Sequence, residues 1–482
     1  VVIGFGPLAL PSQASREDQD GGPNSISIAG RSVALEQTQG GRRDLRLRDD
    51  DGIESHGRCL VVFGTRDDTK RRAVARSVSL SVEPGLNRGN FPRMLKPSLI
   101  FLGLLSLGGC RDAAETSLVA EELPIATAET AIAGEWSLFR GDSALTGESS
   151  EVLPAPLTLA WKLEMIGPIV ATAAIANESV FVGSQDGDFR AIDLESGKEK
   201  WMKQLGDTLE SSACILDGVV YVGSGDGALY ALNAETGEEI WKYQTEGEIL
   251  GGVNFLRHED KTLLYVGSYD NFLHCVDAET GKGLWKAETG NYVNGTPAVA
   301  EGKVMFGGCD AILYMVDAVT GEPGGEIEIG SYVANSIAVK DGIAYLAHYG
   351  NQAEAYSLAD KKQLWVFQDR NFPYFASPAV TDDTVYVADR GKRLYALNRK
   401  DGTEKWAFKA RRSIDSSPVI SGELLYVGSD DGRLYGIALE DGGEVWSYEI
   451  GEAITAAPAI ASEHLVVGAL DGFVYAFKAA KP

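Results

Sequence analysis

The side chain with the clearest chemical prospect is the thiol of Cys110. It ends the segment Met94-Leu-Lys-Pro-Ser-Leu-Ile-Phe-Leu-Gly-Leu-Leu-Ser-Leu-Gly-Gly-Cys110, which has a basic start, an apolar run and then small residues. That order is export-signal anatomy, and the run is too short to span a bilayer. A cysteine just after such a signal can take acyl chains and tether the rest of the chain to a membrane. The remaining thiols offer less. Cys59 lies upstream of the signal, and Cys214, Cys275 and Cys309 stand far apart. Cys275 and Cys309 either pair across neighbouring repeats in an oxidising compartment or sit as small apolar residues. His258, His274, His348 and His464 have no metal-ligand spacing, so no metal is expected.

Two further sets have types suited to binding. Gln368-Asp-Arg-Asn-Phe-Pro-Tyr-Phe375 gathers Arg370, Phe372, Tyr374 and Phe375, and the next equivalent loop holds Arg411 and Arg412. Aromatic and Arg side chains carry binding energy at interfaces, so this is a candidate protein-docking patch. The competing reading is repeat drift, with the aromatics packed between repeats. The second set is Glu210, Asn294, Asn335 and Asp415, with Tyr374 and Thr455, each just before an apolar strand segment. These polar groups are expected at the mouth of a central channel, filled by water or a small ligand. Neither set pairs a nucleophile with a base, and no catalytic residue is assigned.

A repeat positions these residues. Tryptophans stand at Trp161, Trp201, Trp241, Trp285, Trp365, Trp406 and Trp446, in steps of 40, 40, 44, 80, 41 and 40. The long step hides a copy in which Gly325 replaces Trp. The best copy runs from Val220 to Trp241, with turns at Gly225-Asp226-Gly227 and Ala234-Glu235-Thr236-Gly237 between apolar strands. A period near 40 of four short strands predicts sheets that stack radially or in a line. The last copy, Leu465 to Phe477, lacks a Trp strand, while the Trp161 strand is spare at the other end. Pairing the two closes a ring and removes its edges. The expectation is an all-β, eight-bladed β-propeller of four-stranded antiparallel blades, closed by an N-terminal strand, and monomeric.

The wording Tyr-Val-Gly-Ser-x-Asp-Gly-x-Leu-Tyr-Ala-Leu, then Thr-Gly-x-x-x-Trp, resembles the PQQ-like (quinoprotein) propeller repeat from about 160 to 477. Trp136-Ser-Leu-Phe-Arg-Gly-Asp142 and Leu145-Thr-Gly147 resemble the lead-in to such propellers. The resemblance implies that the seven repeat tryptophans pack between blades. It also implies a choice. BamB-like members are outer-membrane β-barrel assembly lipoproteins without catalysis. Quinoprotein dehydrogenases hold pyrroloquinoline quinone and calcium in the funnel under two adjacent cysteines. Adjacent cysteines are absent from this sequence, so the layout leans to the BamB-like side, with no cofactor expected and quinoprotein chemistry as the alternative. Leu107-Gly108-Gly109-Cys110 likewise resembles a lipobox, the acylation site of bacterial lipoproteins.

The expected division is 1–93 upstream translation or disorder, 94–109 signal, 110–130 flexible tether, 131–155 lead-in and 156–482 propeller. None of the 18 Tyr and none of the 8 Trp fall before Met94. The formal net charge is −25, and the acidic excess lies wholly beyond residue 93. Such a surface argues against nucleic-acid binding and makes acyl chains the membrane attachment. Arg111 is not the residue that holds enterobacterial lipoproteins at the inner membrane, so a periplasm-facing place at the outer membrane is expected, with assembly components as partners. Arg140-Gly141-Asp142 spells an integrin-type tripeptide and is read as coincidence.

Overall fold

The computed structural model describes residues 25–28, 31–37, 43–48, 54–59 and 134–480. Cys110, with the signal and tether, lies outside the described residues. In the first unit, Ser25–Ile28, Arg31–Gln37, Arg43–Arg48 and Glu54–Cys59 pair as an antiparallel meander. The sequence shows no core pattern here. Short alternations such as Leu45 and Leu47 are local signals unrelated to the propeller repeat.

Residues beyond 133 form eight four-stranded antiparallel sheets arranged as an eight-bladed propeller. Blade two is representative: Cys214–Leu216 inside, then Val219–Gly223, Ala228–Asn233 and, outermost, Glu239–Gln244. The three inner strands are almost wholly buried, since neighbouring blades cover both faces. The outer strand alternates between exposed and half-buried residues, as a strand packed on one face must. The core is a ring of inter-blade clusters. One of them spans blades seven, eight and one and includes Tyr426, Ile460, Phe477 and Ile175.

The repeat wording has a physical reading. In the middle hairpin Asp226 accepts the Ala228 amide at 3.0 Å and the Tyr230 hydroxyl at 2.7 Å. Asp310 with Tyr314, Asp431 with Tyr435 and Asp471 with Tyr475 repeat the hydroxyl link. Aspartate two residues before the strand fixes the turn, and Tyr four residues on caps it. In the outer turn, Asn233 accepts the amides of Glu235 and Thr236, and Gly237 follows at φ 72°.

The tryptophans join blades. Trp201 donates its indole N–H to Ala234 O at 2.9 Å, in the next blade's outer turn. Trp161, Trp241, Trp285, Trp365 and Trp406 do the same to Leu194, Ala278, Val319, Arg399 and Leu439. Trp446 reaches Leu157, in the closing strand. The turn glycine then lies on the ring: a Cβ on Gly237 would stand 2.7 Å from Trp201. Between blades four and five both halves of the pair are broken together. Gly325 has no ring to offer, and Lys361 replaces the glycine of blade five, its side chain lying where a Gly325 Cβ would project.

The ring closes as the two ends of the repeat array require. Leu157–Glu164 pairs antiparallel with Phe473–Ala479 and completes the sheet begun by Ala459–Ala461 and His464–Gly468.

Candidate functional site

One face of the propeller carries the loops entering each inner strand and the middle hairpins. Backbone hydrogen bonds there mark equivalent positions. A hairpin residue donates its N–H to the preceding entry loop in all eight blades: Gln185, Gly225, Tyr269, Cys309, Tyr349, Arg390, Asp430 and Leu470. Each entry loop also buries one apolar anchor: Ile169, Leu209, Ile249, Val293, Val333, Tyr374, Ile414 and Ile454. The residues after these anchors are Val170, Glu210, Leu250, Asn294, Ala334, Phe375, Asp415 and Thr455. Anchors and turns repeat their chemistry, whereas the two mouth rings change from blade to blade, with only Tyr269 and Tyr349 alike among equivalent positions. Folding therefore leaves the mouth free to vary.

The rings touch each other. Gln185 Nε2 donates to Glu210 at 2.8 Å, and the Tyr269 hydroxyl donates to Asn294 Oδ1. Arg390 holds Asp415 through Nε and Nη2, at 3.0 and 2.6 Å, and lies 3.3 Å from the centroid of Phe375. Tyr349 packs on Phe375 with centroids 4.6 Å apart. Below them a blade-to-blade relay runs round the axis. The amides of Thr172, Gly252, Thr296, Ser336 and Ser377 donate to Ser212, Thr296, Ser336, Ser377 and Ser417 hydroxyls at 2.8–3.2 Å. The small hydroxyl residues of the inner strands are thus structural.

The lead-in was recognised in the sequence, but its place at the axis was not. It runs round the axis and meets every blade. Trp136 pairs with Ile175, and Ser137, Ser143, Ala144, Thr146 and Gly147 accept the amides of Ile215, Val299, Val339, Val380 and Ile420. Asn254 donates to Ser143 O, and the Ser149 hydroxyl donates to Ile460 O. Inner-strand edges that would face an open channel are satisfied in this way. Arg140 is fully buried and donates to Pro418 O at 2.6 Å and Pro378 O at 2.8 Å. Burial lowers its pKa to about 9, which leaves it charged at neutral pH. The Arg-Gly-Asp tripeptide is therefore held inside the disc rather than presented to a partner. Trp136 and Leu145 are each 1 % exposed, so the lead-in fills the axis there. What remains is a cavity of about 180 Å³, reached by Phe139 of the lead-in and by Glu210, Asn294, Asn335, Phe375 and Thr455 from the blades.

The predicted residues divide accordingly. Glu210 and Asn294 occupy equivalent mouth positions and line the cavity. Asp415 is equivalent but is taken up by Arg390. Asn335 lies one residue deeper than the sequence register implied, because Val333 is the anchor of its loop. Its Nδ2 donates to Ala347 O and Ala376 O. Tyr374 is 1 % exposed and is the anchor of its own loop, so it presents no surface to a partner. Phe372 is 40 % exposed beneath the Arg370 guanidinium, 5.1 Å from its centroid. Arg370 also bonds Asp369, Asp389 and Tyr395. Arg411 and Arg412 are exposed. Cys275 and Cys309 are free thiols, so the pairing of one with the other does not occur. Burial pushes the Cys275 thiol up to about 12.

Residues 157–258, 250–324, 310–413 and 406–481 each match the family described as outer membrane protein assembly factor BamB. The chain belongs to the BamB family. BamB from Moraxella catarrhalis is similar in structure, with TM-score 0.58 and 20% identity, over 67% of this chain and 100% of that one. The quinohemoprotein alcohol dehydrogenase of Comamonas testosteroni is similar at TM-score 0.60 and 15% identity, over 72% of this chain and 82% of that one. So is the computationally designed Ika8 protein, at 0.60 and 16%, over 66% and 99%. These likenesses show the fold. No curated protein matches the chain.

The quinone of the second relative can be tested against the cavity. Pyrroloquinoline quinone is a tricarboxylate, yet the one charged side chain lining the cavity among the described residues is Glu210, itself an anion. Among the described residues no group of three His, Cys, Asp or Glu side chains could hold a metal ion. The residues present do not fit the quinone with its calcium.

Proposed function

We propose that this BamB-family chain is a lipid-anchored, periplasm-facing propeller that docks protein partners in outer-membrane protein assembly. The observation that carries the reading is the family match along the whole propeller, residues 157–481. The mouth face supplies the binding surface. Its two rings vary from blade to blade while the rest of the blade repeats. Phe372 beside Arg370, with Arg411 and Arg412, puts an exposed aromatic and three cations on an otherwise acidic protein. Such side chains bury large area and keep a charged tip. Cys110 would hold the propeller at the membrane through its acyl chains, and residues 110–130 would give it reach.

The test has two parts. Cys110→Ser should move the protein from the membrane fraction to the soluble fraction; unchanged fractionation with residues 94–109 still on the mature chain refutes the anchor. Partner capture from detergent-solubilised envelopes should fall about thirtyfold for each hot spot lost in Phe372→Ala with Arg412→Glu. Undiminished capture moves the docking surface elsewhere. Lost capture with a sharply lower melting temperature assigns these residues to packing.

A further inference from the structure

We propose that the partner element docked on the mouth face is an acidic polypeptide segment bearing apolar side chains, held by Lys392, Lys409, Arg411 and Arg412 around Phe372. This rests on the docking role proposed above and gives its partner a chemistry. Across the entry loops and middle hairpins of all eight blades, every Arg and Lys belongs to blades six and seven: Arg370, Arg390, Lys392, Arg411 and Arg412. The same elements of blades two to four carry carboxylates instead, among them Glu210, Glu246 and Glu248. The face is therefore polarised, on a chain whose formal net charge is −25.

Backbone contacts join these cations into one patch. Arg370 Nη2 donates to Gly391 O at 3.0 Å, and a Cβ on Gly391 would stand 2.5 Å from the Phe372 ring. Lys392 follows, and its carbonyl accepts the Ala410 amide at 2.9 Å. Lys409 and Arg411 flank Ala410, and Arg412 comes next. Lys392, Lys409, Arg411 and Arg412 are exposed, and among the described residues none of them is in an ion pair. The neighbouring carboxylates are already committed. Asp415 is held by Arg390, Asp369 and Asp389 by Arg370, Asp430 by the Ser413 hydroxyl and Asp431 by that of Tyr435. Free cations beside satisfied anions suit carboxylates from outside, which guanidinium groups grip in bidentate pairs. Phe372 adds exposed apolar surface at the edge of the same patch. A polypeptide fits better than a bilayer or a nucleic acid. Exposed charges are screened beyond about 8 Å at physiological salt, so a narrow segment meets the cations alone. A broad anionic surface would also meet the exposed Glu246 and Glu248.

The experiment uses the full chain in detergent, with a fluorescent Glu-rich synthetic peptide carrying Phe at alternate positions as probe. Its comparators are the same peptide with Lys for Glu, and vesicles of phosphatidylglycerol. Saturable binding of the Glu peptide is expected, with none of the Lys peptide, and a clear loss between about 0.05 and about 0.5 M salt. Lys392→Glu should weaken binding about tenfold or more with an unchanged melting temperature. Lys400→Glu, in the outer turn of the same blade, should leave binding as it is. The acidic partner is overturned if the Glu peptide shows no saturable binding, if Lys392→Glu binds it as well as the parent, if the Lys peptide binds equally, or if the vesicles bind in preference. Such a failure leaves the docking role standing where envelope capture is still lost in Phe372→Ala with Arg412→Glu. Undiminished capture in that variant strikes the docking role at this patch, and the acidic partner with it.

Discussion

A turn glycine in this propeller answers two demands, and they can be separated residue by residue. Gly237 sits at φ 72° with the Trp201 ring 2.7 Å from where a Cβ would stand, while Gly218 sits at φ 79° with nothing within 4 Å. Gly218→Ala should cost about 1–2 kcal/mol, the price of a left-handed backbone. Gly237→Ala should cost clearly more, since Trp201 must also move and loosen its bond to Ala234. Equal losses in urea melts would show that the ring contact contributes nothing. His274 sets a pH response at the same scale. It lies between the Tyr243 hydroxyl on Nδ1 and Asp270 on Nε2. Burial is the larger effect and lowers its pKa, with Asp270 opposing; His464 is lowered by burial too. A depressed folded pKa means that the unfolded chain takes up the proton first as pH falls. Stability is therefore lost on acidification through the ordinary histidine value, about 6.5. Melting temperature should fall from about pH 7 towards 5, and His274→Gln should flatten that slope. A variant with the parent's slope would remove His274 from the account.

At the scale of the element, the blade is a cassette whose outer strand gives a Trp and whose outer turn receives one. Blades four and five have exchanged that pair for Gly325 and Lys361. Compensation of this kind predicts coupling. Gly325→Trp alone would put a side chain on backbone held at φ 142° and displace the Lys361 side chain, and should destabilise. Adding Lys361→Gly opens the receiving surface and should recover about 1–3 kcal/mol of the loss, the range for contacting residues. Strict additivity of the two changes would mean that the positions do not meet. The register of the mouth loops belongs at this scale too. Asn335 and Tyr374 are each displaced by one position from the alignment that sequence spacing suggests, because the buried anchor, not the first polar residue, sets where a loop enters its strand.

For the whole molecule, stability rests on a closed ring. Leu157–Glu164 is covalently at the start of the propeller but completes the sheet at its end. Deleting residues 156–162 would strip Phe473–Ala479 of its partner and remove both Trp161 and the Leu157 carbonyl that Trp446 uses. Burial of one large aromatic is worth roughly 2–3 kcal/mol, before strand hydrogen bonds are counted. Against a total of about 5–15 kcal/mol, the deletion should lower the melting temperature markedly or cause aggregation through the open edge. A melting temperature equal to the parent's would refute closure by this strand. The lead-in adds a second constraint, since one short segment touches all eight blades from the axis.

The sequence alone determined the blade, the blade number and the closure. These follow from short-range patterns: apolar strands, Asp-Gly and Thr-Gly turns, a Trp every 40 residues or so, and one strand missing at one end and spare at the other. Each signal lies within a few residues of what it specifies, so it can be read along the chain. The axis was decided by tertiary structure. Arg140 meets Pro378 and Pro418, residues 238 and 278 positions away, and Asn335 is fixed by carbonyls from two different blades. The lead-in carries no repeat because it passes from blade to blade, and some of its residues, such as Arg140 and Ser143, join two blades at once. The mouth rings vary because folding does not constrain them. Where eight copies converge on one line, partners are set by the closed ring rather than by spacing, and only the assembled propeller brings Glu210, Asn335 and Phe139 to one cavity.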